Sequence, residues 1–168
     1  KQVGKDYQNQ SVNPPVVRAS TIIFKTMQDI KKAQSNYKKN PLSQNFDYGR
    51  KGTSTTYELQ KLLRKIENSY QVYLTPTGFG AVFLGVISIV RPGDEILITD
   101  SVYSPTRLLA EEYLSNFNIK STFYDPKNLN DLKKKITKKT KLIFVENPGS
   151  NTFEFQDLKQ IVTIAKKN

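Results

Sequence analysis

The chain of 168 residues contains no cysteine and no histidine. The lack of cysteine excludes disulfides and thiol nucleophiles, and the lack of both residue types excludes zinc sites of the usual kind. Without histidine there is no imidazole to act as a general base near neutral pH. Any catalysis must therefore rely on lysine, tyrosine, carboxylates or a borrowed cofactor, and we assign no metal ligands.

Long apolar runs are also missing. Each run is far shorter than the roughly 20 residues that a membrane-spanning helix needs, and no charged segment leads into an apolar one at the N-terminus. With 37% hydrophobic residues, the chain is long enough for one globular domain or for part of one. We expect a cytoplasmic protein with no membrane partner.

Acidic residues are few beside basic ones, and the formal net charge is +11. A charge of this size is compatible with nucleic-acid binding. The lysines, however, are spread in short runs among asparagine and isoleucine, which is more typical of a solvated surface. We therefore predict no nucleic-acid partner. A basic nucleic-acid binder stays an alternative, which steeply salt-dependent DNA binding would support.

The order of the predicted elements favours an α/β fold. Residues 1–53 predict an extended arm with a short strand at STIIF, a helix over 27–37 and a polar loop over 38–52. Thr55 and Glu58 have the spacing of a capping box, which predicts a helix after them. The rest alternates strands over 70–74, 95–100, 119–124 and 141–146 with helices over 78–90, 105–116, 129–136 and 156–167. This alternation predicts a mainly parallel sheet with helices on both faces in residues 54–168.

The segment TPTGFGAV, residues 75–82, predicts an anion site. It joins a predicted strand directly to a helix, so that free backbone N–H groups and the positive end of a helix dipole meet at Gly78. The segment lacks both the GK[ST] ending of an ATP-binding loop and the GxGxxG pattern of a dinucleotide site, which favours a smaller phosphate ester. Alternatively, Gly78 and Gly80 simply allow close packing of the helix.

Two further segments supply what a phosphorylated aromatic cofactor needs. In DYGRKGT, residues 47–53, Tyr48 and Arg50 are two positions apart, so in an extended loop both side chains project to one side and suit a phosphate. Tyr103 follows a predicted strand, where its ring can lie over a planar group. Glu146 also ends a predicted strand and is equally compatible with a structural or a functional role. An exposed arginine and a packing tyrosine are the alternatives.

Five segments agree in order and spacing with one family: VNPPVVRASTIIF, DYGRKGT, TPTGFGAV, RPGDEILITDSVYSP and FVENPGS. Together they resemble the pyridoxal-phosphate enzymes of cysteine and methionine metabolism and, among these, the cystathionine β-lyases. The resemblance implies the aspartate-aminotransferase-like fold, called fold type I, with an incomplete large domain and without the C-terminal small domain. It also implies dimers or tetramers, and a sulfur amino acid related to cystathionine as substrate.

The resemblance assigns roles to individual residues. Gly78 and Phe79 would bind the phosphate of pyridoxal 5′-phosphate, Tyr103 would stack on its ring, and Tyr48 with Arg50 would reach the phosphate in a neighbouring subunit. No lysine here matches the family's Schiff-base lysine, so no catalytic residue is assigned. We expect an N-terminal fragment of a carbon–sulfur lyase that is inactive alone. A non-catalytic remnant that pairs with another subunit is the alternative.

Overall fold

The computed structural model describes residues 12–39 and 47–168. The chain divides into two compact units, Lys1–Leu74 and Thr75–Asn168, and each is described by itself. The first part of the predicted arm and residues 40–46 of the predicted polar loop lie outside the described residues. The predicted division after residue 53 follows the roles implied by the resemblance and stays a prediction.

The first unit consists of an extended segment and two helices. Helix α1 spans Met27–Lys39 and helix α2 spans Ser54–Ile66, and a single 3₁₀ turn, Gly49–Lys51, precedes α2. The predicted capping box at Thr55 and Glu58 is wrong, because α2 begins earlier, at an N-cap formed by Thr53. The Thr55 hydroxyl instead accepts the N–H of Val17 at 2.8 Å and donates to the carbonyl of Pro15 at 2.9 Å. Thr55 therefore ties the arm to α2.

Two predicted strands do not form. The STIIF segment has a single antiparallel bridge, between Thr21 and Tyr48, and residues 70–74 have no strand partner among the described residues. A strand depends on a hydrogen-bonded neighbour more than on its own β propensity, which explains both errors. Tyr70 and Tyr73 remain exposed in this part of the chain.

The second unit is a three-layer α/β arrangement. Its elements are α3 (Gly78–Ile89), β1 (Glu95–Thr99), α4 (Ser104–Leu108), a π-helical continuation (Leu109–Leu114), β2 (Lys120–Tyr124), α5 (Leu129–Lys135), β3 (Thr140–Phe144) and α6 (Leu158–Ala165). The sheet order is β2-β1-β3 and both pairings are parallel, as predicted.

Two apolar cores lie on opposite faces of this sheet, because successive strand residues point to opposite sides. On one face, Ile96 and Ile98 of β1 pack with α3 and with the π-helical continuation of α4. On the other face, Leu97 packs with α5 and α6. The strands are thus covered on both sides, which is the arrangement that parallel sheets require.

The described residues, 12–39 and 47–168, include no helix with the length and apolar character needed to cross a membrane. Nor do they hold any cluster of three or more acidic or other metal-ligating side chains placed to bind a metal ion.

Candidate cofactor site

The N-terminus of α3 leaves two backbone donors free. Thr77 is the N-cap, and its hydroxyl accepts the N–H of Gly80 at 2.9 Å, while its carbonyl accepts the N–H of Ala81 at 3.1 Å. Within the described part of the chain, the N–H groups of Gly78 and Phe79 have no acceptor. They remain available, together with the positive end of the helix dipole, for an anionic group.

There is open space at Gly78, beside the free donors. A Cβ atom built on Gly78 would meet no atom within 4 Å other than its chain neighbours and the backbone of its own helix. The first turn of α3 contains no acidic residue, so no carboxylate competes for the same N–H groups. The side chain of Thr75 is engaged elsewhere, since its hydroxyl donates to the carbonyl of Thr77 at 2.8 Å.

The same edge of the sheet carries Tyr103. Helix α3 ends at the turn 91–94, where the N–H of Asp94 donates to the carbonyl of Arg91 at 3.0 Å, and this turn leads directly into β1. The N-terminus of α3 is therefore directed toward the opposite edge, at which the strands end and at which ligands bind in parallel sheets. Tyr103 follows β1 at this edge and is 50% exposed, so its ring is accessible to a planar group.

The backbone of Tyr103 is held by Glu146. The N–H of Tyr103 donates to Glu146 Oε2 at 2.9 Å, across 43 positions in sequence. A second tie joins the same two loops, because the N–H of Ser150 donates to the carbonyl of Ser101 at 2.8 Å. Gly149 permits this approach, since a Cβ there would lie 2.7 Å from Ser101 Oγ. The Pro-Gly turn after β3 therefore also brings the loop after β3 into contact with the loop after β1.

A buried glutamine joins the ends of all three strands. The Gln156 side chain accepts the hydroxyl of Tyr124 at 2.8 Å, and its Nε2 donates to Thr99 Oγ1 at 3.2 Å and to the carbonyl of Glu146 at 3.0 Å. Its own N–H donates to Asn147 Oδ1 at 2.9 Å. Burial raises the pKa of Tyr124 to about 12, so this hydroxyl stays protonated over the working range of pH.

The residues of this buried group were not predicted from sequence. A threonine and a tyrosine that end apolar strands do signal buried polar groups, and such groups need partners. The partner, Gln156, lies 57 positions from Thr99, so no local pattern identifies it.

In the first unit, Tyr48 and Arg50 lie side by side. The Arg50 guanidinium carbon is 5.2 Å from the centroid of the Tyr48 ring, so the two side chains lie together, although Arg50 lies in a 3₁₀ turn and not in the extended loop that was predicted. The neighbouring Lys51 is engaged by Asp47 at 2.7 Å. By contrast, no carboxylate in the described ranges forms an ion pair with Arg50. Its positive charge is thus held in place by an aromatic ring and remains available for an anion.

Position 49 requires a glycine because the backbone of the extended arm approaches it closely. The N–H of Gly49 donates to the carbonyl of Ser20 at 2.7 Å, and a Cβ at this position would overlap the carbonyl oxygen of Ala19. The 3₁₀ turn that carries Arg50 is thereby anchored to the extended arm.

A family model for the Cys/Met metabolism PLP-dependent enzymes matches residues 1–168. The chain belongs to this family. Its cofactor is pyridoxal 5′-phosphate, as predicted, and the free donors and open space at the N-terminus of α3 fit the phosphate of that group.

Curated relatives carry two kinds of name. A cystathionine beta-lyase of Haemophilus influenzae is 36% identical over 97% of this chain, and cystathionine beta-lyase MetC of Escherichia coli is 31% identical over 96%. An L-alanine/L-glutamate racemase of Wolbachia pipientis is 36% identical over 97% of this chain. The alignments cover 40%, 40% and 41% of these relatives, so this chain spans about two fifths of their length.

Solved structures confirm the predicted fold type I. The metY protein of Campylobacter jejuni, whose structure carries a pyridoxyl-lysine monophosphate group, superimposes with a TM-score of 0.82 at 25% identity, over 95% of this chain and 38% of its own. The metB protein of Corynebacterium glutamicum gives a TM-score of 0.83 at 22% identity, over 99% of this chain and 40% of its own. The second likeness shows the fold alone.

Proposed function

We propose that this chain is the phosphate-holding part of a PLP-dependent carbon–sulfur lyase, which acts on cystathionine or a similar sulfur amino acid and yields homocysteine, pyruvate and ammonia. The observation that carries the proposal is the pair of N–H groups at Gly78 and Phe79, which have no acceptor among the described residues and lie beside open space on the edge that bears Tyr103. The cystathionine beta-lyases of Haemophilus influenzae and Escherichia coli support the choice of substrate.

In this proposal each predicted residue has one task. The N–H groups of Gly78 and Phe79 bind the cofactor phosphate, and the ring of Tyr103 covers the pyridine ring and keeps water from that side. Tyr48 and Arg50 bind the phosphate in a neighbouring subunit, as a homodimer or homotetramer would allow. Bound in this way, the cofactor supplies an electron sink for a carbanion at the substrate Cα. A cytoplasmic location is part of the same proposal.

We expect the 168-residue polypeptide on its own not to turn over cystathionine. The chemistry needs a lysine that forms a Schiff base and moves the α-proton, and no lysine of this sequence matches the Schiff-base lysine of the family. The expected property of these 168 residues by themselves is therefore binding of the cofactor phosphate.

Amino-acid racemisation is a second candidate, favoured by the Wolbachia relative at 36% identity. Both reactions begin with removal of the Cα proton. Only the lyase then breaks the Cβ–S bond and releases a thiol, whereas a racemase returns the proton to the opposite face. The two candidates therefore differ in their products.

Binding tests the first step of the proposal. Pyridoxamine 5′-phosphate is a suitable probe, because it keeps the phosphate and the ring but lacks the aldehyde, which would react with surface lysines. Pyridoxamine, which has no phosphate, is the matched control ligand. We expect saturable fluorescence changes with the phosphorylated probe only, and competition by inorganic phosphate. Equal binding of both ligands would contradict the assigned phosphate site.

Complementation tests the reaction. The chain is mixed with the C-terminal remainder of the Haemophilus influenzae enzyme, and three products are assayed: thiol and pyruvate from cystathionine, and D-alanine from L-alanine. Formation of thiol and pyruvate by the mixture, and not by either polypeptide separately, supports the lyase. D-alanine without thiol would replace the lyase with the racemase, and turnover by the unmixed chain would contradict its predicted inactivity.

A further inference from the structure

We infer that Glu146 is a positioning residue, which sets the place of the Tyr103 ring over the cofactor through a hydrogen bond to the Tyr103 backbone. The inference rests on the proposed function, because it takes Tyr103 as the ring-stacking residue. It adds a residue to the site for which no role has been assigned. The contact that carries it is the 2.9 Å hydrogen bond from the Tyr103 N–H to Glu146 Oε2.

Within residues 12–39 and 47–168, Glu146 is the one acceptor of the Tyr103 N–H. Tyr103 is the N-cap of α4, and its side chain makes no capping hydrogen bond. The ring is half exposed, so packing alone does not hold it. The Tyr103 carbonyl accepts the N–H groups of Thr106 at 2.9 Å and Arg107 at 3.1 Å, which joins this residue to α4, and the bond to Glu146 joins the same residue to the loop after β3.

Glu146 is itself held rigidly. Its carbonyl accepts Gln156 Nε2 at 3.0 Å, and Gln156 is buried and bound to the ends of β1 and β2 through Thr99 and Tyr124. The position of Glu146 is thus fixed by contacts with the ends of the strands. Its side chain in turn restrains the backbone of Tyr103.

The carboxylate of Glu146 serves this contact rather than an ion pair. Among residues 12–39 and 47–168, no lysine or arginine forms a salt bridge with it. A carboxylate that accepts a backbone N–H makes a stronger and shorter bond than a neutral acceptor does. An amide oxygen can make the same contact with less strength, which gives a conservative variant for testing.

A double-mutant cycle distinguishes positioning from general support. Affinity for pyridoxamine 5′-phosphate is measured for Glu146→Ala, Tyr103→Ala and the double variant. We expect Glu146→Ala to weaken binding about fivefold in the wild-type background and not at all when Tyr103 is alanine, because the effect passes through the ring. Glu146→Gln should restore most of the loss. Glu112→Ala, at an exposed carboxylate with no ion pair among the described residues, is the control and should bind as wild type.

Exchange of the Tyr103 amide proton gives a readout that needs no ligand. In the free chain, Glu146→Ala should speed this exchange at least about tenfold, while Glu146→Gln and Glu112→Ala leave it nearly unchanged. Equal losses of affinity in both Tyr103 backgrounds, or unchanged exchange in Glu146→Ala, would overturn the inference. If Tyr103→Ala itself binds the probe as wild type, the stacking role in the proposed function fails instead.

Discussion

The substitution Gly78→Asp should stabilise the fold while it weakens cofactor binding. A Cβ at Gly78 meets no atom within 4 Å, so the side chain enters without steric cost. A carboxylate in the first turn of α3 favours the helix by about 0.3–1 kcal/mol. The same carboxylate lies where the phosphate would bind, and two unit charges 4 Å apart repel by between about 1 and 4 kcal/mol, depending on solvent exposure. Since about 1.4 kcal/mol is a factor of ten, affinity should fall at least about fivefold.

Gly85→Asp is the matched control. Gly85 also lies in α3, is exposed and has open space around its Cβ position. It is seven residues from Gly78, or about 10 Å along the helix axis, where 0.1 M salt screens most of the repulsion. Its affinity should stay within about twofold of wild type.

The assays are fluorescence titration with pyridoxamine 5′-phosphate and unfolding in urea. Opposite changes in stability and affinity exclude misfolding as the cause of weaker binding. Wild-type affinity in Gly78→Asp, or an equal loss in Gly85→Asp, would refute the assignment of the phosphate to this helix end.

Three further predictions concern stability. Tyr124→Phe leaves the Gln156 oxygen without its 2.8 Å donor and should lower the free energy of unfolding by about 1–3 kcal/mol in urea titrations near pH 7. Because burial raises the folded pKa of Tyr124 to about 12 from a usual value of about 10, wild type should lose stability as the pH rises through this interval, and the variant should lack this loss. Gly49→Ala, whose Cβ overlaps the Ala19 carbonyl, should destabilise the first unit by about 1–3 kcal/mol and speed amide exchange at position 49. The hydrogen bond from the N–H of residue 160 lowers the pKa of Asp157. The stability that this N-cap contributes is therefore present above about pH 4 and is lost as the pH falls through the lowered pKa of the folded state. In unfolding experiments, Asp157→Asn should show less loss of stability in acid and should resemble wild type at pH 7.

Two of these predictions have a control in the chain. Tyr113→Phe, at an exposed tyrosine, should change neither stability nor its alkaline dependence. Gly85→Ala, in the open interior of α3, should stabilise by roughly 0.5–1 kcal/mol, opposite in sign to Gly49→Ala. The argument for Tyr124 would be contradicted if both tyrosine variants had the same stability. The arguments for Gly49 and Asp157 would be contradicted by unchanged amide exchange in Gly49→Ala and by an unchanged loss of stability in acid in Asp157→Asn.

The sequence predicted the second unit better than the first. From residue 78 onward the helices and strands occur in the predicted order, because buried strands and amphipathic helices repeat with periods that a single sequence displays. The predicted strand over 70–74 does not form, because pairing depends on a distant neighbour that local composition does not reveal. The capping box was misplaced by two residues because Thr53 and Thr55 are equally suitable in type, and only tertiary contacts give Thr55 a different partner.

The candidate site was predictable where one short segment contains it. Gly78 and Phe79 need only a strand-like run, a turn and a helix, and the free donors are at that position. The bond between Glu146 and Tyr103 spans two loops, so its geometry required the fold. Gly49 shows a third situation, because the backbone approach that excludes any side chain there comes from Ala19 and Ser20, which are distant in sequence.

The contact between the arm and the Arg50 turn restricts sequence variation in an unusual way. Residues 19–21 meet residues 48 and 49 through main-chain atoms: the Ala19 carbonyl, the Ser20 carbonyl and the Thr21 bridge. Substitutions at these three positions therefore leave the contact intact, whereas one inserted or deleted residue shifts the carbonyls that receive the turn. Among natural variants of this protein, the side chains at these positions should vary. The number of residues between Thr21 and Val17, where the arm is bound to Thr55, should stay constant.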